Sequence, residues 1–238
     1  MAQSKWLAII ALACVSCSRP EPPSVPATTL FPGDYLREDY VRALQETHSP
    51  LKVGKLGGNI MVTARLGEGG LYLQPTDFHS NDYEFVLHPN GTLAPQLETG
   101  IKAVWKISDG HDFVLGYRDK PPAKYTFVGD LSRYLRGMTV AGRYSDGSAR
   151  VYYFGEDGQT NFPDGKARYS VGVDVSALDP LDWFDVASES SKGIKTFGFV
   201  ERADGLRIYR AIDDPKAYIR YEDRPTFTLH RCCEKCCQ

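Results

Sequence analysis

The stretch KTFGFVERADGLRIYRA, residues 195–211, indicates the fold of this chain. Apolar and polar residues alternate on both sides of Asp204-Gly205, and an Asp-Gly pair between two such runs is a strong short signal for a β-hairpin. Glycine tolerates the positive φ that a tight hairpin turn requires. The segment therefore predicts two antiparallel strands joined by a turn at Asp204-Gly205.

The same pattern recurs along most of the chain. Strand-like segments flank further Asn-Gly or Asp-Gly pairs, which are Asn90-Gly91, Asp109-Gly110, Asp146-Gly147, Asp157-Gly158 and Asp164-Gly165. Tyrosine, phenylalanine and glycine are frequent (14, 11 and 22 residues) and methionine is scarce (3), a composition that favours strands and tight turns over helices. We predict an all-β fold, an antiparallel meander of about eight to ten strands.

An internal repeat divides this meander. Residues 69–92 and 141–160 each contain Gly-x-Tyr, then an aromatic strand, then an Asn-Gly or Asp-Gly turn. We predict two related β-meander repeats, residues 57–136 and 137–231, which close into one barrel or pack as two small barrels. On this alignment Tyr72 and Tyr144 are equivalent and largely buried.

One N-terminal amphipathic helix is predicted ahead of the repeats. In residues 34–56, the apolar residues Leu36, Tyr40, Val41 and Leu44 recur at helical spacing. Asp34 precedes them as a candidate N-cap, and Pro50 follows them. We assign 34–56 as this helix and its connector.

The first residues have the layout of a secretory signal peptide, predicted as residues 1–16. Lys5 precedes an apolar run, Trp6 to Ala13, that is far shorter than the roughly 20 residues needed to span a bilayer as a helix. Residues 17–33 are rich in proline, which favours an extended tether.

Val15-Ser16-Cys17-Ser18 resembles the lipobox of bacterial lipoproteins. The resemblance implies that Cys17 carries a diacylglyceryl thioether and an N-acyl chain such as palmitate; Cys14 is the second choice. Several acyl chains, at about 0.8 kcal/mol per buried methylene, hold a protein on a membrane far better than one does. The resemblance thus implies a lipid anchor in the bacterial cell envelope, at the outer membrane facing the periplasm.

The second repeat resembles the lipocalin-like meander of many small bacterial lipoproteins. The resemblance rests on Gly142-x-Tyr144 followed by YYFGEDG, YSVGVD and FGFVERADGLRIYRA, and it is weaker in the first repeat. Lipocalins favour Gly-x-Trp, whereas this chain has tyrosine at both places. The resemblance implies a barrel, within a group whose functions are diverse.

No motif for catalysis or a cofactor stands out. The five histidines form no HExxH or paired-ligand pattern, and no Gly-x-Ser-x-Gly, P-loop or dinucleotide fingerprint occurs. The net charge of −2, without a long basic stripe, disfavours nucleic acid as a partner. Asp179, Asp182 and Asp185 lack the spacing of an EF-hand. We expect a non-enzymatic binding or structural module; the alternatives are an exported carrier of a small apolar ligand and an envelope enzyme.

The chain ends in RCCEKCCQ, with a Cys-rich tail at residues 232–238. No cysteine lies between Ser18 and Arg231, and thiols outside the cytoplasm tend to oxidise. We expect disulfides within the tail or to a disulfide-linked partner. The alternatives are a Cu(I) site, since soft thiolates suit that ion, and no role at all. The four cysteines concerned are Cys232, Cys233, Cys236 and Cys237. We expect a cut after His230 to leave stability nearly unchanged.

Overall fold

The computed structural model describes residues 30–54, 56, 58–68, 70–76, 84–89, 92–95, 103–107, 111–117, 121–148, 150–172, 180–188, 193–212 and 220–233. Within them the chain forms two antiparallel sheets and three short helices, which confirms the predicted all-β class. The first sheet is a half-barrel and the second contains a closed barrel of eight strands.

The first sheet has its earliest strand in the middle. The strand order is β5-β4-β3-β2-β1-β8-β7-β6, so β1 is paired on both sides while β5 and β6 form the edges. The hairpins predicted around Asn90-Gly91 and Asp109-Gly110 form as the β4–β5 and β6–β7 pairs. The strands are β1 Gly33–Arg37, β2 Met61–Gly67, β3 Gly70–Thr76, β4 Phe85–Leu87, β5 Leu93–Pro95, β6 Ala103–Ile107, β7 Asp112–Tyr117 and β8 Ala123–Gly129.

The second sheet closes on itself. From β9 to β15 each strand pairs with the next, β15 also pairs with β17, and β17 returns to pair with β9, while β16 adds only to β15. Its strands are β9 Gly142–Ser145, β10 Val151–Phe154, β11 Gln159–Thr160, β12 Ala167–Val171, β13 Asp182–Ser188, β14 Ile194–Arg202, β15 Gly205–Ile212, β16 Arg220–Tyr221 and β17 Phe227–Arg231. Arg202 faces Gly205, so the hairpin at Asp204-Gly205 is confirmed.

Aromatic rings fill the interior of the closed barrel. The Phe162 ring lies at the centre of the packing, with its centroid 4.8 Å from that of Phe227 and 5.3 Å from that of Phe197. Phe154 and Phe184 pack edge to face at 5.7 Å, a geometry that aromatic pairs prefer. The other buried members of this core are Val140, Tyr144, Tyr152, Ala167, Tyr169, Val186, Phe199, Leu206, Ile208 and Leu229.

The three helices share one apolar cluster. They are α1 Glu38–Thr47, α2 Pro50–Gly54 and α3 Leu131–Met138. Tyr40 and Leu44 of α1, Val53 of α2 and Leu135 of α3 are all buried in it. Since α3 directly precedes β9, this cluster connects the first half of the chain to the barrel.

The amphipathic helix exists, but it begins at Glu38, and Asp34 is not its N-cap. Asp34 lies on β1, where its carboxylate accepts the Leu131 backbone N–H at 3.0 Å and the Thr63 hydroxyl at 2.9 Å. Asp34 therefore accepts the first backbone N–H of α3, a helix that we did not predict and whose N-cap is Asp130. The two buried neighbours Tyr35 and Leu36 pack into different clusters, one in the sheet and one with the helices, so β1 shows no polar face and no alternation.

The strands number seventeen in the described part of the chain, more than the eight to ten predicted. Several are too short to show a period, since β11 and β16 have two residues each. The first sheet also begins at Gly33, ahead of the repeat boundary placed at residue 57.

The structural counterpart of Tyr144 is Tyr35, not Tyr72. Tyr35 and Tyr144 are both fully buried. Tyr35 lies on β1, which pairs with β2 and β8, and Tyr144 lies on β9, which pairs with β10 and β17. Each tyrosine is therefore on the strand that joins the second strand of its half to the last one. Tyr72 lies on β3 and is partly exposed. The equivalence predicted for Tyr72 and Tyr144 is therefore wrong, although both belong to Gly-x-Tyr motifs.

Candidate functional site

Four polar side chains meet at one end of the barrel. We call Tyr144 of β9, Glu201 of β14, Arg231 of β17 and His48, which follows α1, the junction cluster. The Arg231 guanidinium donates to Glu201 Oε1 at 3.1 Å and to the Tyr144 hydroxyl at 3.2 Å. It also lies 5.3 Å from the centroid of the Tyr144 ring, within cation–π range. The last strand is thus fixed to the first across the seam that closes the barrel.

His48 attaches the helices to this cluster. It ends α1 in the left-handed conformation, with φ of 50°. Its Nδ1 lies 2.8 Å from the Met138 carbonyl oxygen at the end of α3, which makes it the donor there. The same nitrogen is 3.6 Å from Glu201 Oε2. One imidazole therefore contacts both α3 and the barrel.

Burial raises the pKa of two groups in the junction cluster, Glu201 and Tyr144. Burial raises the pKa of Glu201, while His48 and Arg231 act in the opposite direction. Burial also raises the pKa of Tyr144 to about 12, although Arg231 opposes the shift. Tyr144 is therefore a neutral phenol at physiological pH, and it donates its proton to the Val140 carbonyl at 3.0 Å. Because the Tyr144 hydroxyl donates to Val140 and accepts from Arg231, it is suited to stabilising this end of the barrel rather than to transferring a proton.

Asp182 makes a second connection between the halves of the chain. At the start of β13, its carboxylate accepts the Leu51 backbone N–H of α2 at 2.7 Å and a hydrogen bond from Ser49. Burial raises the pKa of Asp182, against these hydrogen bonds and the nearby Lys52 charge. Asp185 instead accepts the Thr196 hydroxyl at 2.6 Å.

The other residues considered for chemistry are spread over the molecule. Asp182 and Asp185 hold different partners, and Asp179 lies outside the described residues. His111 stacks on Phe31 with ring centroids 5.1 Å apart. Its neighbour Asp112 pairs with Lys124 at 2.7 Å. In the part of the chain that the structure describes, no three His, Cys, Asp or Glu side chains gather into a metal-binding group.

The tail begins as a continuation of the last strand. The Cys232 backbone N–H donates to the Arg143 carbonyl at 2.8 Å, and both Cys232 and Cys233 are disulfide-bonded. Cys14, Cys17, Cys236 and Cys237 lie outside the described residues. A thiolate site for Cu(I) would first require reduction of these disulfides.

The cut expected to be harmless, after His230, falls inside the last strand and one residue before the Cys-rich tail 232–238. A cut after His230 would remove Arg231, which belongs to β17 and to the junction cluster. The Arg231 backbone N–H also donates to the Asp204 carbonyl at 2.9 Å. We therefore move the cut to after Arg231, where the predicted tail begins.

Two of the surface clefts are lined by described residues. One, of about 410 Å³, lies beside β8 and the start of α1, and its charges pair with one another. Lys124 contacts Asp112 at 2.7 Å and Glu38 at 3.3 Å, and Arg37 contacts Asp39 at 2.6 Å. The other, of about 520 Å³, lies between α3 and the β10–β11 turn and is lined by Arg133, Tyr153, Phe154, Glu156 and Asp157, together with Gly137, Ala141, Gly142 and Gly155.

Sequence reasoning missed the junction cluster. Glu201 and Arg231 stand at polar positions of alternating strands, where charged residues normally face water, and His48 is far from both in sequence. Only the closure of the barrel brings them together.

The described residues contain no helix long and apolar enough to cross a bilayer. No protein-family model, curated protein or solved structure matches this chain.

Proposed function

We propose that this chain is a lipid-anchored cell-envelope protein whose β-domain acts as a non-enzymatic binding or structural module. The observation that carries the proposal is the packed aromatic interior of the barrel, centred on Phe162. Close-packed interiors are stiff and occupied, so a filled barrel presents its outer surface, its ends and its tail rather than a lumen.

The start of the chain supports the anchor. The short apolar run ends at Val15-Ser16-Cys17, and a proline-rich segment separates Cys17 from the first strand at Gly33. Proline-rich composition favours an extended chain, so we expect this segment to act as the tether predicted for residues 17–33. Such a spacer suits a module that works above a membrane surface.

The same packing argues against an apolar ligand inside the barrel. A carrier buries most of its ligand in a pre-formed apolar cavity of several hundred Å³. Here that volume is taken by side chains such as Phe154, Phe184 and Phe197. We therefore assign binding to the outside of the domain.

Labelling with an alkyne analogue of palmitate tests the anchor. In a bacterial host the mature protein should incorporate the label and partition into detergent, and Cys17→Ser should abolish both, whereas Cys14→Ser should retain both. A mature chain without lipid, beginning at another residue, would refute the anchor. The purified protein should not bind a fluorescent fatty acid; saturable binding that Phe162→Ala alters would favour a carrier instead.

A further inference from the structure

The cleft between α3 and the β10–β11 turn is lined to a large part by bare backbone. Gly137 of α3, Gly142 at the start of β9 and Gly155 after β10 all border it, together with Ala141. Its volume is about 520 Å³. Because glycine lets a ligand come close to the backbone, a flat ring fits here without displacing side chains.

Tyr153 presents an aromatic ring to this cleft. Its neighbours on β10, Tyr152 and Phe154, are buried in the barrel, whereas Tyr153 lies on the outer face and is 45% exposed. A Cβ on Gly155 would lie only 2.6 Å from the Tyr153 hydroxyl oxygen, so the ring rests against the backbone of that glycine. The ring is therefore held at the edge of the cleft and accessible from solvent.

The turn that forms one wall of the cleft is fixed from below. The Tyr169 hydroxyl donates to the Gly155 carbonyl at 2.9 Å, and Arg136 Nε of α3 donates to the Glu156 carbonyl at 2.6 Å. These bonds tie the turn to β12 and to α3. A ligand would thus enter a pre-formed site and would not have to order the turn, which lowers the cost of binding.

The charged groups of the cleft suit a neutral ligand. Arg133 Nε lies 3.5 Å from Glu156 Oε2, and both side chains are mostly exposed, so this ion pair costs little to open. Asp157 adds a second carboxylate beside it. An anion would meet two carboxylates and a metal ion would meet the guanidinium. A ligand with hydroxyl groups could instead donate to the carboxylates and accept from Arg133.

The strands beside the cleft do not offer an edge to a peptide. β9 is paired with β10 and β17, and β10 is paired with β9 and β11, so an extended peptide cannot add to either as a further strand. Beyond Tyr153 and Ala141 the cleft exposes little apolar side chain, which disfavours an apolar ligand.

We propose that this cleft binds one pyranose ring of a neutral saccharide. The inference rests on the proposed binding function of the outer surface and names its ligand class. A pyranose has a face of C–H groups, which packs on the electron-rich face of an aromatic ring such as Tyr153. Its rim of hydroxyls both donates and accepts, which matches the mixture of Glu156, Asp157 and Arg133.

Saturation-transfer difference NMR on the purified full chain tests the proposal. The aromatic protons of the protein are irradiated, and the C–H protons of the sugar are observed during a titration. The probes are glucose, galactose and mannose, each compared with the uronate in which its C6 is a carboxylate. At least one neutral sugar should show saturable transfer, and its uronate should bind more weakly because of Glu156 and Asp157.

Two pairs of variants locate the binding. Gly137→Leu fills the cleft from α3 and keeps the helix, since a Cβ there meets Glu156 no closer than 3.4 Å and leucine is the better helix former. Ser132→Leu, at an exposed position of α3 outside the cleft, is its matched control. Tyr153→Thr removes the ring and Tyr153→Phe keeps it. Gly137→Leu and Tyr153→Thr should raise Kd at least about tenfold, and each control should stay within about threefold.

Three results would overturn the proposal. They are the absence of transfer to all three neutral sugars, tighter binding of a uronate than of its neutral sugar, and unchanged affinity in Gly137→Leu. Circular dichroism checks that the variants are folded; if Tyr153→Thr is not, the comparison of Gly137→Leu with Ser132→Leu decides. Because the measurement does not depend on lipid, its failure is separate from a failure of palmitate labelling.

Discussion

Tyrosine hydroxyls that bond to the carbonyl four residues earlier recur at three Gly-x-Tyr motifs. Tyr35 bonds Phe31 at 2.9 Å, Tyr72 bonds Glu68 at 2.8 Å, and Tyr144 bonds Val140 at 3.0 Å. The glycines have φ between 139° and 156°, a region that favours glycine. The motif is a local device, and its surroundings decide how much it contributes.

Removing the hydroxyl of Tyr144 or of Tyr72 should show how strongly the surroundings of the motif affect its contribution to stability. Tyr144→Phe removes the donor to the buried Val140 carbonyl and one of the two acceptors of the Arg231 guanidinium, so we expect a loss of about 1–3 kcal/mol in the free energy of unfolding. The exposed bond of Tyr72 can be replaced by water, so Tyr72→Phe should cost less than about 1 kcal/mol. Urea unfolding of the purified variants measures both. Equal losses would contradict the ranking.

The raised pKa of Asp182 predicts a pH dependence of stability. Its pKa in the folded protein lies above the ordinary value of 3.8, so the folded state holds the proton more tightly than the unfolded state. The contribution of protonated Asp182 to the free energy of unfolding is fully present below that ordinary value and is lost as pH rises through the folded-state pKa. Asp182→Asn keeps the acceptor for Leu51 but cannot ionise, so its unfolding free energy should fall less steeply with rising pH.

Urea unfolding from about pH 4 to pH 7 compares the variant with the wild type. Asp182→Ala is the control, because it also removes the hydrogen bond to Leu51 and should be less stable than Asp182→Asn at every pH. An Asn variant with the slope of the wild type would show that the ionisation of Asp182 does not contribute.

Among the elements, the β14–β15 hairpin depends on the glycine that ends its turn. Gly205 and Gly193 have nearly the same backbone, with φ of 146° and 150°. A Cβ on Gly205 would lie 1.9 Å from the Leu229 carbonyl oxygen of β17, whereas a Cβ on Gly193 meets nothing within 4 Å. Gly193→Ala should therefore show backbone strain alone, about 1–3 kcal/mol, and Gly205→Ala clearly more.

Urea unfolding of the two alanine variants separates the contact from the strain. If Gly205→Ala is too unstable to purify, its sensitivity to trypsin in lysates, beside that of Gly193→Ala, gives the comparison. Similar stability of both variants would mean that β17 can shift away from the turn without cost.

These elements also show what sequence patterns can and cannot predict. Alternation around Asp204-Gly205 predicted a hairpin because turn and strands are local. The pattern failed at β1, because Leu36 packs into the same cluster as Tyr40 and Leu44 and stands at helical spacing from them, although it belongs to the strand. It missed α3, although Asp130 caps it and Leu131, Tyr134, Leu135 and Met138 follow at helical spacing.

The candidate site was harder to predict than the fold. The tail cysteines are visible as a cluster in sequence, and their oxidation could be anticipated from the expected compartment. The contacts of Arg231 with Glu201 and of His48 with the barrel depend on ring closure, which no local pattern encodes.

The end of β17 should mark the limit of the folded domain. A chain that stops after Arg231 keeps the bonds to Glu201 and Tyr144, whereas one that stops after His230 loses them. We expect the shorter chain to be less stable by about 1–2 kcal/mol. Thermal or urea unfolding of the pair measures the difference, with Arg231→Ala in the full chain as the control. Equal stability of both truncated chains would contradict the role assigned to Arg231.

For the whole molecule, the helix cluster and the bonds of His48 and Asp182 should make the two sheets unfold together. Trp105 lies on β6 of the first sheet and Trp183 on β13 of the barrel, so each can report on one sheet. In the mature Trp105→Phe and Trp183→Phe proteins, fluorescence reports on the sheet that keeps its tryptophan, and circular dichroism reports on all strands. In each variant the urea transition followed by fluorescence should coincide with the transition followed by circular dichroism. Two separated transitions would show that the halves unfold independently.

β1 and β17 are held by their neighbouring strands in different ways, so the response of the protein to force should depend on which end is pulled. β1 is held by a ladder on each side, from Gly33↔Ala64 to Leu36↔Met61 and from Asp34↔Gly129 to Arg37↔Tyr125. β17 is joined to β9 by only two residue pairs, His230↔Ser145 and Arg231↔Tyr144. A pull along β1 from the N-terminal side loads four residue pairs on each of its two sides, whereas a pull on the C-terminal end of β17 loads the two pairs with β9 and the four pairs with β15. In the lipid-anchored protein proposed above, tension from the membrane would thus reach β1, which a ladder holds on each side, while a partner that grips the tail would pull on β17 and its short seam with β9.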